Sequence, residues 1–203
     1  LGKLPSYILA CTAFDALSQA IESHWSRNST KESRVYSTKA IFSLSSNLSE
    51  GTKNSKSLSF DEVLLASNLA GKAINLTKTT APHALSYGIT LMTGLAHGHA
   101  VALTLGNFFL INDLACFQST KEEKNFYDER KREIFLLLNV KTAEEAKNKW
   151  YSLMKICGLH IKIFEKDFSE KKYRQKIVET VNLERLNNHP LEISKTMLMK
   201  AFS

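Results

Sequence analysis

Between residues 99 and 112 almost every side chain is apolar or small, and a helix of that composition has no face it can leave in water. Such a segment dictates its surroundings: several other helices have to wrap it, so an all-α, multi-helix fold is predicted. Only eight glycines and three prolines punctuate the 203 residues, and long stretches pass without the alternation of a half-buried strand. The length suffices for a substantial core, and 43% apolar with 23% charged residues belongs to a folded globular chain. The most apolar stretch, residues 100–111, falls short of the roughly 20 residues a bilayer crossing needs. It is therefore read as a buried helix, and no membrane partner is expected.

Around this rod the spacing predicts further helices. Residues 5–27 place Phe14, Leu17, Ile21 and Trp25 three and four apart on one side, and a second helix covers residues 31–48. The polar stretch 49–59 reads as an exposed loop. Ser59 and Glu62 form a capping-box pattern that starts a helix at Phe60, running to Thr77. Pro82 suits the first turn of the next helix, which carries His83 and Tyr87. Gly94 and Gly98 are expected to bracket a short loop around His97. Beyond Ser119 the chain becomes amphipathic and charged, with a second capping-box pattern at Thr142 and Glu145, a stop at Cys157 and Gly158, and N-caps at Asp167 and Ser194. No internal repeat and no second domain emerge, so residues 1–203 are treated as one helical domain.

The net charge of +7 raises the question of nucleic acid. About two thirds of the Lys and Arg residues follow position 117, but thirteen of the twenty acids are mixed among them. That mixture describes solvated helix faces, and no nucleic-acid partner is expected; a basic helical module that binds nucleic acid or a protein partner is the rival from another class. Cys11, Cys116 and Cys157 are odd in number and far apart, which points to a reducing, cytoplasmic setting rather than a disulfide framework. The opening Leu-Gly-Lys-Leu-Pro resembles no targeting segment, and a fragment of a longer enzyme is expected.

Three side chains carry the candidate chemistry. Asp15 and Gln19 stand one turn apart on the first helix, and His83 and His97 sit in small, apolar sequence beside helix starts. Each alone has an ordinary explanation, as an exposed carboxylate or a satisfied core histidine. Together, one acid and two imidazoles from separate helices match the ligands that Fe(II) and Zn(II) accept, with positions left open for substrate. His99 competes with His97 as a ligand. Asn68, Lys72, Asn75 and Thr79 form a polar stripe on the helix leading to His83, facing either solvent or a wet cleft beside the metal.

The segments DALSQAIES at residues 15–23 and GLAHGHA at residues 94–100 resemble two signature stretches of the iron-containing (group III) alcohol dehydrogenase family. In that family a metal is held by an aspartate, a histidine one turn later, and two histidines fourteen positions apart, as His83 and His97 are. The resemblance runs from Leu4 to Asn112 and is weak beyond. Gln19 occupies the place of the fourth ligand, so the site resembles the three-ligand branch that includes glycerol dehydrogenase, with Gln19 orienting a ligand or a water. Tyr87 stands where many members have a further histidine, which implies a pocket-lining or proton-relaying role, against that of a core tyrosine. The run AGKAINLTKTTAPHALSY at residues 70–87 is similar to the phosphonoacetaldehyde-reducing branch, in which Lys72, Asn75, Lys78 and Thr79 would meet an anionic headgroup.

What the resemblance implies is a dehydroquinate synthase-like C-terminal helical domain of a metal-dependent, NAD- or NADP-linked alcohol dehydrogenase or aldehyde reductase. Fe2+ is the expected metal and Zn2+ the alternative, the substrate is a small alcohol or aldehyde, and the full-length enzyme is expected to be a homo-oligomer. The dinucleotide would be held mainly by a preceding α/β domain: Gly-x-Gly occurs nowhere in the chain, so the isolated helical region is expected to be inactive. Dehydroquinate synthase-like chemistry on a similar metal centre is the rival within the fold.

Overall fold

The computed structural model describes residues 4–53, 58–162 and 170–202, and within them all regular structure is helical. In chain order the helices are α1 (Ser6–Trp25), α2 (Lys31–Lys53), α3 (Phe60–Thr77), α4 (Ala81–Thr93), α5 (His97–Cys116), α6 (Lys121–Leu137), α7 (Ala143–Ile156), α8 (Glu170–Glu179), α9 (Leu183–Asn187) and α10 (Lys195–Lys200). Helix α1 packs on α2, α3, α5 and α6, while α5 packs on α1, α4, α7 and α10. The two therefore share the centre. Phe14, Leu17, Ile21 and Trp25 of α1 are wholly buried, as their spacing requires.

Helix α5 corrects two expectations. It begins at His97, so the connection from α4 is only residues 94–96 and His97 opens a helix rather than sitting in a loop. It is also long and apolar enough, by composition, to span a bilayer, although 83% of its most apolar window is buried inside the fold. Enclosure by neighbouring helices is the use this segment has found for its apolar surface.

Helix α2 continues through Lys53, so the polar stretch from Ser49 is helical for its first turn. Both capping-box patterns are half made. Ser59 accepts from Glu62 N, but the Glu62 carboxylate binds the Asn47 amide. Thr142 accepts from Glu145 N, and Glu145 reaches one residue further back to Lys141 N at 2.7 Å. A complete box forms at Thr120 and Glu123 instead. Cys157 and Gly158 do end α7: Gly158 takes φ 75°, and the N–H of Leu159 returns to Met154 O at 2.9 Å. Ser194 caps α10, whereas Asp167 lies outside the described residues.

Two glycines set how closely α5 is approached. A Cβ at Gly106 would stand 2.7 Å from the Tyr151 ring, which lies on α7 beside Trp150. At Gly98 the constraint is tighter, because a Cβ would meet the backbone oxygen of Cys11 at 2.1 Å and the Cβ of Asp15 at 2.9 Å. Backbone cannot yield as a flexible side chain does, so Gly98 fixes the start of α5 against α1 at the level of Asp15.

Gly98→Ala is expected to lower stability by about 2 kcal/mol or more through overpacking. Gly71→Ala, at a helical position with nothing within 4 Å, should raise it by about 0.5–1 kcal/mol. Urea midpoints of the two variants check this contrast, and an unchanged Gly98→Ala midpoint would refute the close approach.

Candidate metal centre

Three helices bring the acid and the imidazoles together. Asp15 projects from α1, His83 from the first turn of α4, and His97 from the first residue of α5. Asp15 Oδ1 lies 3.5 Å from His83 Nε2 and 3.8 Å from His97 Nε2. One ligand atom from each of the three residues falls within 4.8 Å of the others. The two imidazole rings meet edge to face at 5.4 Å between centroids.

The surrounding groups aim these atoms. Gln19 Nε2 donates to Asp15 Oδ2 at 2.9 Å, which fixes the carboxylate and leaves Oδ1 free. Glu22, wholly buried, bonds His83 Nδ1 through Oε1 and accepts from Thr80 N at 2.6 Å and Thr80 Oγ1 at 2.8 Å through Oε2. With Nδ1 held against Glu22, Nε2 is the ring nitrogen that faces Asp15 and His97. Asp15 Oδ1 and His83 Nε2 are both buried and have no hydrogen-bond partner. Two orphaned ligand atoms of opposite origin, facing one space that a third imidazole borders, fit a divalent cation.

Burial alone would pull the His83 imidazole down. The charges of Glu22 and Asp15, with the hydrogen bond to Glu22, outweigh it and push His83 up to about 9. His97 is half-exposed and sits below its ordinary value: burial lowers it most, Asp15 opposes, and His83 lowers it further, as does Arg185 more weakly. Without a metal, then, His83 carries a proton that a cation must displace, whereas His97 is ready as a neutral ligand.

The remaining expected residues divide. His99 does not join the ligands. It is two residues from His97 and points to another side of α5, where Nδ1 bonds the Tyr7 hydroxyl at 3.2 Å and Nε2 bonds the His160 carbonyl at 2.8 Å. Tyr87 is exposed and lies against His97, with ring centroids 5.4 Å apart, so it is no core tyrosine. The polar stripe breaks up because α3 ends at Thr77 and Lys78 takes φ 61°. Asn68, Lys72, Asn75 and Lys78 are exposed, and Lys72 leans over the Tyr36 ring at 5.9 Å. Thr79 alone of these turns inwards, 2% exposed, where its hydroxyl accepts from Arg185 Nη1.

Two residues went unread in the sequence. Glu22 lies seven positions after Asp15, on the face that carries Gln19, and that spacing could have revealed it. Arg185 had no such signal. Its guanidinium sits 5.2 Å over the Tyr87 ring, brought there by α9 from the far end of the chain.

His83→Ala and Asp15→Asn are each expected to strip divalent metal from the purified protein, while His99→Asn retains it; elemental analysis decides, and full metal content in His83→Ala would remove the centre. Because the His83 proton must leave, apparent Zn2+ affinity should climb about tenfold per pH unit towards pH 9. A flat profile would mean the proton is not there. In the metal-free protein the same group contributes stability that is complete below its ordinary value of 6.5 and lost as pH rises through about 9.

The chain matches the Fe-containing alcohol dehydrogenase family, C-terminal, over residues 9–202. It is 38% identical over 113 residues to the phosphonoacetaldehyde reductase of Streptomyces viridochromogenes, an alignment covering 55% of this chain and 29% of that protein. Its fold is similar to the sulfoacetaldehyde reductase of Bifidobacterium kashiwanohense in complex with NAD+ (TM-score 0.80, 27% identity, 98% of this chain and 50% of that one). It is also similar to the iron-containing alcohol dehydrogenase of Thermococcus thioreducens (TM-score 0.80, 18% identity, 98% and 50%). The chain thus spans about half the length of these solved structures. By the extent of that match, the chain belongs to the Fe-containing alcohol dehydrogenase family, as its C-terminal helical region.

Proposed function

We propose that this chain is the metal-holding half of a nicotinamide-dependent enzyme that interconverts a small anionic aldehyde and its alcohol. The observation that carries the reading is the pair of orphaned atoms, Asp15 Oδ1 and His83 Nε2, facing His97 across one space. Asp15, His83 and His97 are the ligands, Fe2+ the metal and Zn2+ its alternative. A preceding nucleotide-binding domain supplies most of the grip on NAD or NADP. The three free cysteines suit a cytoplasmic enzyme.

A bound divalent cation supplies Lewis acidity to a substrate carbonyl or hydroxyl oxygen. The chain's own groups do the positioning. Glu22 keeps the proton on His83 Nδ1, and Gln19 keeps Asp15 from rotating away. Tyr87, exposed beside His97, lines the substrate pocket and offers its hydroxyl as a proton relay to solvent. Thr79 fixes the Arg185 guanidinium above Tyr87, and the exposed Lys72 and Lys78, with Asn75, would help draw an anion towards that pocket. Support for an anionic substrate comes from relatives named for phosphonoacetaldehyde and sulfoacetaldehyde.

The full-length enzyme loaded with Fe2+ is expected to oxidise NADH or NADPH with phosphonoacetaldehyde or sulfoacetaldehyde. Activity should vanish on chelation and return with added metal. Turnover that persists in Asp15→Asn, or that ignores chelation, would sink the reading. Tyr87→Phe should lower kcat by about 100-fold or more if the hydroxyl relays the proton, and unchanged turnover assigns Tyr87 to pocket lining alone.

A further inference from the structure

We infer that Arg185 is the specificity-determining residue that reads the anionic end of the substrate, an inference resting on the reductase reading above. Arg185 belongs to α9, in the second half of the chain. Its guanidinium is half-buried, stacks 5.2 Å over Tyr87, and spends Nη1 on the Thr79 hydroxyl. Tyr87 in turn lies against the ligand His97, so one aromatic ring separates this cation from the metal centre.

The guanidinium is held from three directions. Tyr87 supports its face, Thr79 fixes one N–H, and the helix it rides on is pinned where Asn188 Nδ2 donates to Thr79 O at 3.1 Å. Thr79 is itself buried and its neighbour Thr80 is locked to Glu22, so the cation shares a frame with the ligand His83. A guanidinium has five N–H donors, and among the described residues no carboxylate forms an ion pair with this one. A planar fork with donors to spare, rigidly seated beside a Lewis-acid site, matches a phosphonate, sulfonate or carboxylate bidentately. The aldehyde end would then face the metal ligands and the anionic end Arg185, which favours short anionic aldehydes over neutral ones of equal length.

The test compares kcat/KM of the full-length, metal-loaded enzyme for phosphonoacetaldehyde and for propanal, in wild type, Arg185→Gln and Arg185→Lys. Arg185→Gln is expected to lose about 100-fold on the anionic aldehyde, the worth of a buried charged hydrogen-bond pair, and less than about threefold on propanal. Arg185→Lys, which keeps the charge without the fork and tests the idea should the glutamine variant not fold, should fall between them on the anion alone. Equal losses on both aldehydes, or a raised KM for the dinucleotide with aldehyde preference unchanged, would overturn the assignment to Arg185 while leaving the reductase reading intact. A wild-type enzyme that favours propanal would overturn both.

Discussion

A carboxylate with no access to water is what the site is built around. Glu22 is fully enclosed, and an enclosed acid is costly by several kcal/mol unless each oxygen is met by a donor. The donors come from the turn joining α3 to α4, the Thr80 amide and hydroxyl, and from the first turn of α4, the His83 ring. Trp25, one turn beyond Glu22 on α1, donates its indole N–H to the same Thr80 hydroxyl at 3.0 Å. Core packing of α1, the path of the turn and the orientation of the His83 ring are therefore one linked arrangement. Lys78, held at φ 61° in that turn, bears a backbone strain that the bonds to Glu22 offset.

Much of this was legible in the sequence, and the failures have physical causes. The helix periodicity of α1 and the all-round apolar character of α5 announced the core, because burial leaves a direct trace in residue order. Asp15, His83 and His97 were readable because their spacing matches a known ligand pattern. His99 looked equally eligible on paper, but a helix turns about 200° over two residues, and so the two histidines serve different neighbours. The stripe ending at Thr79 assumed a helix that stops at Thr77, and one left-handed residue sent Thr79 inwards. Half-made capping boxes show a similar limit: the pattern Ser-x-x-Glu specifies the serine's bond, while the glutamate goes to whichever donor tertiary packing brings, here Asn47.

Arg185 marks where residue patterns stop informing. Nothing local distinguishes it from the other basic residues of the second half, and its role depends on contacts with positions about a hundred residues earlier. Those contacts are reinforced at the end of α9, where the Asn188 carbonyl accepts from Arg27 N at 2.9 Å and its side chain bonds Asn28 at 2.9 Å. The chain's late segment is thus sewn to the C-terminal end of α1. That segment is thereby brought against α4, the helix that carries His83 and Tyr87.

The contact at Gly98 carries a consequence for how such a centre is assembled. Because α5 abuts the Cys11 carbonyl with no room for a methyl group, main-chain sterics bring His97 beside Asp15. Spacing set this way is a property of helix packing, unlike that of small domains whose fold depends on zinc. A cation held there as proposed would meet a spacing fixed by backbone contact, which would favour ions by size and preferred geometry.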